Sequence, residues 1–378
     1  MPLFQFSFPT RIHFGPGARK LVAQHLKDQG IERPLIVTDK GLAALPILAA
    51  FKASLAGVDL EIFAGVFGNP TRAQVDAGAA VARKHRADCI IGFGGGAALD
   101  VAKAVALMAV HEGDVLQYAW DHPQVLPITK LRPYFIALPT TSGTGSEVGR
   151  SSVISHDTTH VKKIIFNPAL LARVVFADPE LTLDLPAKVT AATGMDALTH
   201  NVESYLSPAY HPLCDGIALE GARIAAHALV TAVTQPKDIQ ARSDMMMSSL
   251  MGAIAFQKDL GAVHSCAHAL GTVVDMHHGL ANGVMIDHVM RFNAPAAAGK
   301  MAELARVCGA GATPEDFIDW LGDLKAQVGL PANLAPLGVR PDHVAALVDV
   351  AIVDTCHQTN PRPCTRADFE QLFRSALA

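Results

Sequence analysis

The sequence predicts two domains, an α/β domain followed by an all-helical one. With 378 residues, the chain is longer than one ordinary hydrophobic core supports. Its first half alternates short β-branched runs with helical stretches, the pattern of a mostly parallel sheet with helices on both faces. After about Leu183 the β-rich runs give way to Ala-, Leu- and Met-rich stretches. The second half is therefore predicted to be all α-helical.

Four short apolar runs in the first half are predicted to be buried strands, because each ends in turn residues. These runs are residues 34–39, 87–94, 134–140 and 172–179. Helices are predicted over residues 72–86, 98–110, 213–234 and 243–256. The segment 178–186 contains two prolines and marks the junction, which gives domains of residues 1–183 and 184–378.

The composition excludes several classes of protein. A hydrophobic fraction of 50% excludes a disordered chain. A formal net charge of -4, with no run of Lys or Arg, argues against nucleic acid as a partner. No apolar stretch reaches the roughly 20 uncharged residues that cross a bilayer, and the N-terminus lacks the pattern of a secretion signal. Six widely spaced cysteines suit a reducing compartment, so we expect a cytoplasmic protein without a membrane partner.

Two polar, glycine-rich loops follow predicted strands of the first domain. The loop GFGGGAALD, residues 92–100, opens a helix and lets backbone N–H groups approach a phosphate. Its spacing is not GxGxxG, and such a loop is as often only a tight turn. The loop TTSGTGSEVG, residues 140–149, suits a polar ligand or is an ordinary flexible loop. Because nucleotides bind at strand ends, the two loops together favour a dinucleotide.

Asp39 ends the first predicted strand. A carboxylate there can accept hydrogen bonds from an adenosine ribose and repel a 2'-phosphate. The alternative is that Asp39 caps a helix predicted over residues 40–48. The residues alone leave both interpretations open.

Histidines are concentrated in the second domain, where ten of the 17 lie at or after His200. Asp196 and His200 are four residues apart, so a helix places them on one face. His264 and His268 repeat this spacing, and two adjacent histidines follow after a break. One such pair is more often a simple hydrogen bond than a metal site. The whole set predicts a divalent metal with oxygen and nitrogen ligands, and Fe(II), Zn(II), Mn(II) and Ni(II) all suit it.

With these residues in place, the chain resembles the iron-containing (group III) alcohol dehydrogenases over nearly its whole length. The shared motifs are VTDKG at Val37, NPT at Asn69, GGG with LD over 94–100, PTTSGTGSEV at Pro139, TGMDALTHNVESY at Thr193, AFQKDLGAVHSCAHALG at Ala255, HGLANG at His278 and NPRP at Asn360. The third, fifth and sixth of these motifs are specific in combination.

The resemblance implies an N-terminal dinucleotide-binding domain and a C-terminal metal-binding domain, in a dehydroquinate synthase-like architecture. It implies that the metal ligands are Asp196, His200, His264 and His278, rather than His277. His268 matches a histidine near the substrate, and we expect it to be a proton relay. The implied cofactor-binding residues are Asp39, Asn69, Gly95, Gly96, Thr140, Thr141, Thr144 and Lys162. Asp39 resembles the NAD-preferring version of the motif.

The implied reaction interconverts a small primary alcohol and its aldehyde by hydride transfer to or from NAD. A divalent metal, Fe(II) first and Zn(II) second, lowers the pKa of the alcohol so that its deprotonated form exists near neutral pH. The alternatives are a dehydroquinate-synthase-like or glycerol-dehydrogenase-like enzyme of the same fold, and an inactive NAD-binding sensor. A homo-oligomer is compatible with the sequence, which contains no pattern that decides it.

Three departures from the family pattern bear on ligand binding. Ala97 replaces a serine and removes one hydroxyl from the phosphate loop. Gln257 and Lys258 replace small or Asn residues, and Arg150 follows the SEVG motif. Such cations are most often structural or solvated. Lys258 and Arg150 nevertheless lead us to expect a substrate that carries a carboxylate or another acidic group.

Overall fold

The computed structural model describes residues 6–8, 10–130, 133–159 and 161–378. They form two compact units. The α/β unit comprises Pro9–Thr141 and Gly145–Thr182. The helical unit comprises Leu183–Ala378 together with Ser142–Thr144 and residues 6–8.

The α/β unit is built on a six-stranded sheet in which every pair of neighbouring strands is parallel. In chain order the eight strands described in this unit are β1 (Arg11–Phe14), β2 (Pro34–Asp39), β3 (Glu61–Val66), β4 (Cys89–Gly94), β5 (Tyr134–Pro139), β6 (Ser151–Ser155), β7 (Lys162–Phe166) and β8 (Val174–Ala177). The order across the sheet is β1-β8-β5-β4-β2-β3, and β6 and β7 form a separate antiparallel pair. The strand order changes direction at β2, where β3 lies on one side and β4 on the other.

Helices pack on both faces of this sheet. They are α1 (Val22–Asp28), α2 (Lys40–Ala43), α3 (Pro46–Ser54), α4 (Arg72–His85) and α5 (Gly96–Met108). Ile91 and Phe93 of β4 belong to the hydrophobic cluster that includes α1 and α3. Gly92 has the opposite orientation in the strand and lies against Leu99 and Ala102 of α5. The predicted α/β class is confirmed.

The predicted strands and helices differ from the observed ones mainly at their ends. The four predicted strands correspond to β2, β4, β5 and β8, whereas β1, β3, β6 and β7 were not predicted. The predicted helix over residues 40–48 is divided into α2 and α3. Its interruption is Leu45, which is extended (φ -91°, ψ 149°) because Pro46 follows it.

The helical unit contains the remaining helices, and its described residues form no strand. They are α6 (Ala187–Leu206), α7 (Pro212–Thr234), α8 (Ile239–Ala255), α9 (Ala262–Val274), α10 (His278–Val307), α11 (Pro314–Gln327), α12 (Val344–Ala351) and α13 (Arg366–Leu377). Helix α10 is kinked at Ala297 (φ -130°, ψ 21°), two residues after Pro295. The predicted helical second half is confirmed.

Helix α7 is long and apolar enough to cross a membrane by length and composition alone, with 23 residues and a mean hydropathy of 1.3. Its sequence also includes Asp215, Glu220 and Arg223. The helix packs against α6 and α8, and its Ala222, Ala225 and Leu229 belong to the core of the helical unit. These contacts are those of a core helix in a globular unit.

Candidate functional site

Three helices of the helical unit bring histidines and one aspartate together. Asp196 and His200 lie one turn apart on α6, His264 lies in the first turn of α9, and His278 begins α10. One possible ligand atom each from Asp196, His200 and His264 lie within 4.8 Å of one another, and all three residues are buried. His278 Nε2 is 3.5 Å from Asp196 Oδ1, so it joins the same group. The adjacent His277 instead accepts a hydrogen bond from the Leu280 N–H as the N-cap of α10.

The acceptor atoms of this group face a common point. The amide nitrogen of Asn282 lies 2.7 Å from Asp196 Oδ1, 3.3 Å from His264 Nε2 and 3.2 Å from His278 Nε2. The two N–H groups of this amide cannot donate to all three atoms at once, but its nitrogen lies within 3.3 Å of each, so the three atoms surround one point. His200 stacks on His264 with 4.6 Å between ring centroids, which places a fourth donor group beside the other three.

The charge state of the group also fits a divalent cation. Burial lowers the pKa of both His200 and His264 to about 4, so both imidazoles are neutral at neutral pH. Neutral imidazole and carboxylate are the forms that bind metal. His200 Nδ1 is buried and has no hydrogen-bond partner among the described residues, which is unusual for a buried nitrogen. Three imidazoles and one carboxylate, with no thiolate among them, suit Fe(II) or Zn(II).

Glu203 orients His264 through the ring nitrogen that does not face the candidate metal site. Its Oε2 is 2.6 Å from His264 Nδ1, and its Oε1 accepts a hydrogen bond from the Val263 N–H at 2.7 Å. With Nδ1–H as the donor to Glu203, the neutral ring presents Nε2 as its acceptor. Burial raises the pKa of Glu203 to about 7. Glu203 was not predicted from the sequence, although it lies three residues after His200 and so on nearly the same face of α6.

His268 lies beside the metal-ligand group and has its own carboxylate partner. Its ring stacks on that of His278 with 5.3 Å between centroids. Its Nδ1 is 2.7 Å from Asp354 Oδ2. Asp354 follows α12 and lies 86 residues from His268 in the chain, so no local pattern identified it. The role of His268 as a proton relay stays a prediction.

In the α/β unit, three neighbouring strands end in the predicted cofactor residues. Asp39 ends β2, Gly95 and Gly96 follow β4, and Thr140 and Thr141 follow β5. Since these strands are parallel neighbours, the residues lie along one edge of the sheet. This edge includes the point at β2 where the strand order changes direction, which is where open α/β sheets bind ligands.

Glycine is required at the turn between β4 and α5. Gly94 has φ +155°, and a Cβ on it would lie 2.6 Å from Ala98 Cβ. A Cβ on Gly95 would lie 3.2 Å from the Thr141 side chain, so the two loops approach closely here. Helix α5 starts at Gly96 and directs its free N–H groups to this turn. The arrangement fits the phosphates of a dinucleotide.

Asp39 caps α2 in this structure. Its Oδ1 accepts a hydrogen bond from the Leu42 N–H at 2.8 Å. Its Oδ2 lies 3.6 Å from the position that a Cβ on Gly94 would take, so the carboxylate borders the phosphate turn. One carboxylate oxygen of Asp39 therefore caps the helix, and the binding of a ribose by the other oxygen stays a prediction.

The other predicted cofactor residues lie in two places. Asn69 follows β3, and Lys162 is paired with Ser155 across the β6–β7 sheet. The Ser155 N–H donates to the Pro70 carbonyl at 2.8 Å, which brings the Asn69 loop and Lys162 to the same end of this sheet. Thr144 belongs to the helical unit. There Gly143 packs against Thr193 of α6 so closely that a Cβ would lie 2.8 Å from Thr193 Cβ.

The two cations expected near the substrate differ in their surroundings. The Lys258 ammonium is buried, forms an ion pair with Asp215 and donates to the Tyr205 carbonyl at 3.1 Å. Arg150 is partly exposed, and its guanidinium lies 5.2 Å from the centre of the Phe166 ring. The charge of Lys258 is thus already balanced within the helical unit, whereas the Arg150 guanidinium contacts an aromatic ring and pairs with no carboxylate among the described residues.

Two family models match the chain in succession. Residues 9–179 match the model for iron-containing alcohol dehydrogenase. Residues 190–377 match the C-terminal model of the Fe-containing alcohol dehydrogenase family.

Similar proteins cover the whole chain. The 4-hydroxybutyrate dehydrogenase of Cupriavidus necator is 39% identical, over 97% of this chain and 98% of its own length. The 1,3-propanediol dehydrogenase of Klebsiella pneumoniae is 37% identical, over 99% of both chains. Among solved structures, a 1,3-propanediol oxidoreductase has a TM-score of 0.95 and 36% identity over 100% of both chains. A sulfoacetaldehyde reductase from Bifidobacterium kashiwanohense, in complex with NAD+, has a TM-score of 0.93 and 28% identity over 100% of both chains.

Proposed function

The chain belongs to the iron-containing alcohol dehydrogenase family, and from this premise we propose that it interconverts a short primary alcohol and its aldehyde, with Fe(II) as the metal and NAD as the cofactor. The observation that carries the proposal is the convergence of acceptor atoms from α6, α9 and α10. Asp196, His200, His264 and His278 would hold the cation. When bound, the cation would supply a Lewis acid that lowers the pKa of an alcohol hydroxyl, and a bound dinucleotide would supply the hydride acceptor.

The remaining chemistry falls to side chains of this chain. The ring of His268 is 24% exposed, so it is accessible to a ligand and can accept the hydroxyl proton. The glycine turn before α5 would hold the phosphates of the dinucleotide, and the free oxygen of Asp39 would accept a hydrogen bond from its ribose. No residue needs to act as a nucleophile, because orientation and exclusion of water suffice for hydride transfer.

We propose a substrate with a second polar or acidic group at its far end. The relatives named above act on 4-hydroxybutyrate and 1,3-propanediol, which both carry such a group. Of the two expected cations, Arg150 is the better candidate for this group, since Lys258 is paired with Asp215. Replacing Arg150 with Met should lower the ratio of acidic to neutral substrate turnover. Lys258→Met should leave this ratio unchanged. If neither variant changes the ratio, the acidic preference is wrong.

The reaction is tested by following NADH absorbance with metal-stripped protein, and then with anaerobically added Fe(II) or with Zn(II). The panel contains short aldehydes with and without a terminal acid or hydroxyl. We expect NADH loss that requires both a metal and an aldehyde, and faster turnover with Fe(II) than with Zn(II). NADH binding without turnover for every metal and aldehyde would contradict the dehydrogenase proposal and favour a cyclase or a sensor.

Two adjacent histidines offer a matched control for the metal site. His278→Asn removes a predicted ligand, and we expect it to abolish retention of the metal. His277→Asn keeps a good helix N-cap and should leave the metal content unchanged. Equal metal loss in the two variants would contradict the assignment of His278.

A further inference from the structure

We propose that Asp354 is a positioning residue, which fixes the tautomer and orientation of His268 for proton transfer. The proposal rests on the proposed dehydrogenase function. Asp354 Oδ2 is 2.7 Å from His268 Nδ1, and the two side chains are 18% and 24% exposed. The pair is therefore shielded on most sides but is open enough for the ring to meet a ligand.

The contact is a hydrogen bond rather than half of a second metal site. His268, Asp354 and Cys356 offer ligand atoms within 4.8 Å of one another, which makes a second site worth considering. Two ligands that share a tetrahedral cation at about 2.1 Å lie about 3.4 Å apart. The observed 2.7 Å is too short for that arrangement and is typical of a charge-assisted hydrogen bond.

The surroundings of Asp354 determine which partner donates. Its Oδ1 accepts hydrogen bonds from the Ser265 hydroxyl at 2.7 Å and from the Cys356 N–H at 2.9 Å. The Ser265 oxygen in turn accepts from the His357 N–H at 2.9 Å, which ties the segment after α12 to α9. Burial opposes ionisation of Asp354, but His268 and these hydrogen bonds hold its pKa well below the usual range. An ionised carboxylate can only accept, so the donor is Nδ1–H of His268.

This arrangement selects one tautomer of the neutral ring. With the proton fixed on Nδ1, the other nitrogen, Nε2, is the acceptor. No described residue forms a hydrogen bond with Nε2. Nε2 is thus the atom of His268 that is available to take a hydroxyl proton.

The substitution Asp354→Asn reverses the tautomer without changing the size of the side chain. The amide oxygen must still face the Ser265 hydroxyl and the Cys356 N–H, because both are donors. Its NH2 group then faces His268, and the ring can meet it only with an unprotonated Nδ1 and with the proton on Nε2. We expect kcat to fall by about 10²–10⁴-fold, the contribution of a positioned general acid or base. KM and metal content should stay within about threefold of wild type.

Asp349→Asn is a matched control. Asp349 lies on α12, five residues before Asp354, and its exposed carboxylate pairs with Arg366. Its replacement should leave kcat unchanged. Asp354→Asn could also lose metal or unfold at a lower temperature. If either change accounts for the loss of kcat, the role of Asp354 is structural and the proposal is overturned.

A double-mutant cycle tests whether Asp354 acts through His268. In a His268→Ala background, Asp354→Asn should reduce kcat no further. A further reduction of the same size in that background would overturn the proposal.

A spectroscopic measurement separates this proposal from the proposed function. Zinc-loaded wild-type protein is diamagnetic, and its ¹⁵N histidine signals report the protonated nitrogen of each ring. We expect His268, assigned by comparison with His268→Ala, to carry its proton on Nδ1. A proton on Nε2 would refute the positioning role even if the enzyme is active. If the signal shows the proton on Nδ1 but the protein has no turnover, the tautomer assignment is supported and the dehydrogenase function is contradicted.

Discussion

Gly279, the second residue of α10, lies directly against the backbone of α6. A Cβ at this position would lie 2.3 Å from the Ala192 carbonyl oxygen and 2.9 Å from its carbon. Both atoms belong to the backbone, so no side chain can rotate away. The neighbouring His278 is predicted to bind the metal and lies 3.5 Å from Asp196 Oδ1. Gly279→Ala should therefore disturb both the packing of α10 and the metal site.

The expected size of the effect follows from these distances. The contact is about 1.1 Å short of the 3.4 Å at which ordinary van der Waals contact begins, so α10 must move by about that amount. Forced shifts of this kind cost about 1–3 kcal/mol, and the gain from Gly to Ala in a helix offsets up to about 1 kcal/mol. Metal sites tolerate displacements of only about 0.5 Å, so metal affinity should fall by at least about tenfold.

Gly299→Ala is the matched control, because it makes the same substitution in the same helix. A Cβ at Gly299 meets nothing within 4 Å, so we expect a gain of about 0.5–1 kcal/mol and unchanged metal affinity. Chemical denaturation and chelator competition measure the two effects. The reasoning is refuted if Gly279→Ala is as stable as Gly299→Ala and binds metal as wild type does.

Three further predictions concern single residues. Glu203→Gln should weaken metal binding by about 10–100-fold, measured by chelator competition, because His264 loses its carboxylate partner; unchanged affinity would contradict this role. Asp39→Asn keeps an equally good N-cap but removes the charge, so the ratio of NADPH to NADH efficiency should rise without a change in unfolding temperature, and an unchanged ratio would leave Asp39 with capping alone. Burial lowers the pKa of Lys258 to about 8, despite its ion pair with Asp215, from the ordinary lysine pKa of 10.5. Between pH 8 and pH 10.5, Lys258 therefore binds its proton more fully in the unfolded chain than in the folded one. Wild-type stability should therefore rise relative to Lys258→Met from about pH 7.5 to pH 9.5, and parallel denaturation midpoints would show that the shift is absent.

The fold class was predictable because the hydrophobic pattern changes once along the chain. The strands β2, β4, β5 and β8 are almost entirely buried, and their sequences are nearly continuous apolar runs. The sequences of α7 and α8 are long stretches without strand-like segments. The strands that escaped prediction include β1 and β3, whose residues are mostly partly exposed. A half-exposed edge strand has a weaker apolar pattern than a central one, so its sequence resembles that of a loop.

The candidate metal ligands were predictable where two of them share a helix. The spacing of Asp196 and His200 on α6 reflects the helical period, and a local pattern of this kind survives in the sequence. The partners Glu203 and Asn282 sit on the same helices as predicted ligands, but carboxylate and amide side chains are too common on helices to stand out. Asp354 had no local signal, since its partner His268 is 86 residues away.

The amino-acid sequence was sufficient to predict the classes of local structure, the glycine turns at the strand ends and the family to which the chain belongs. These properties depend on neighbours within a few residues, or on motifs long enough to be specific. Three contacts became visible only in the three-dimensional structure: one oxygen of Asp39 caps a helix, Lys258 is paired with Asp215, and Asp354 contacts His268. A sequence pattern does not show these contacts, because they join segments that are distant in the chain or depend on which atom of a side chain already has a partner. The packing of helices and the closure of loops determine which distant segments meet and which side-chain atoms find partners.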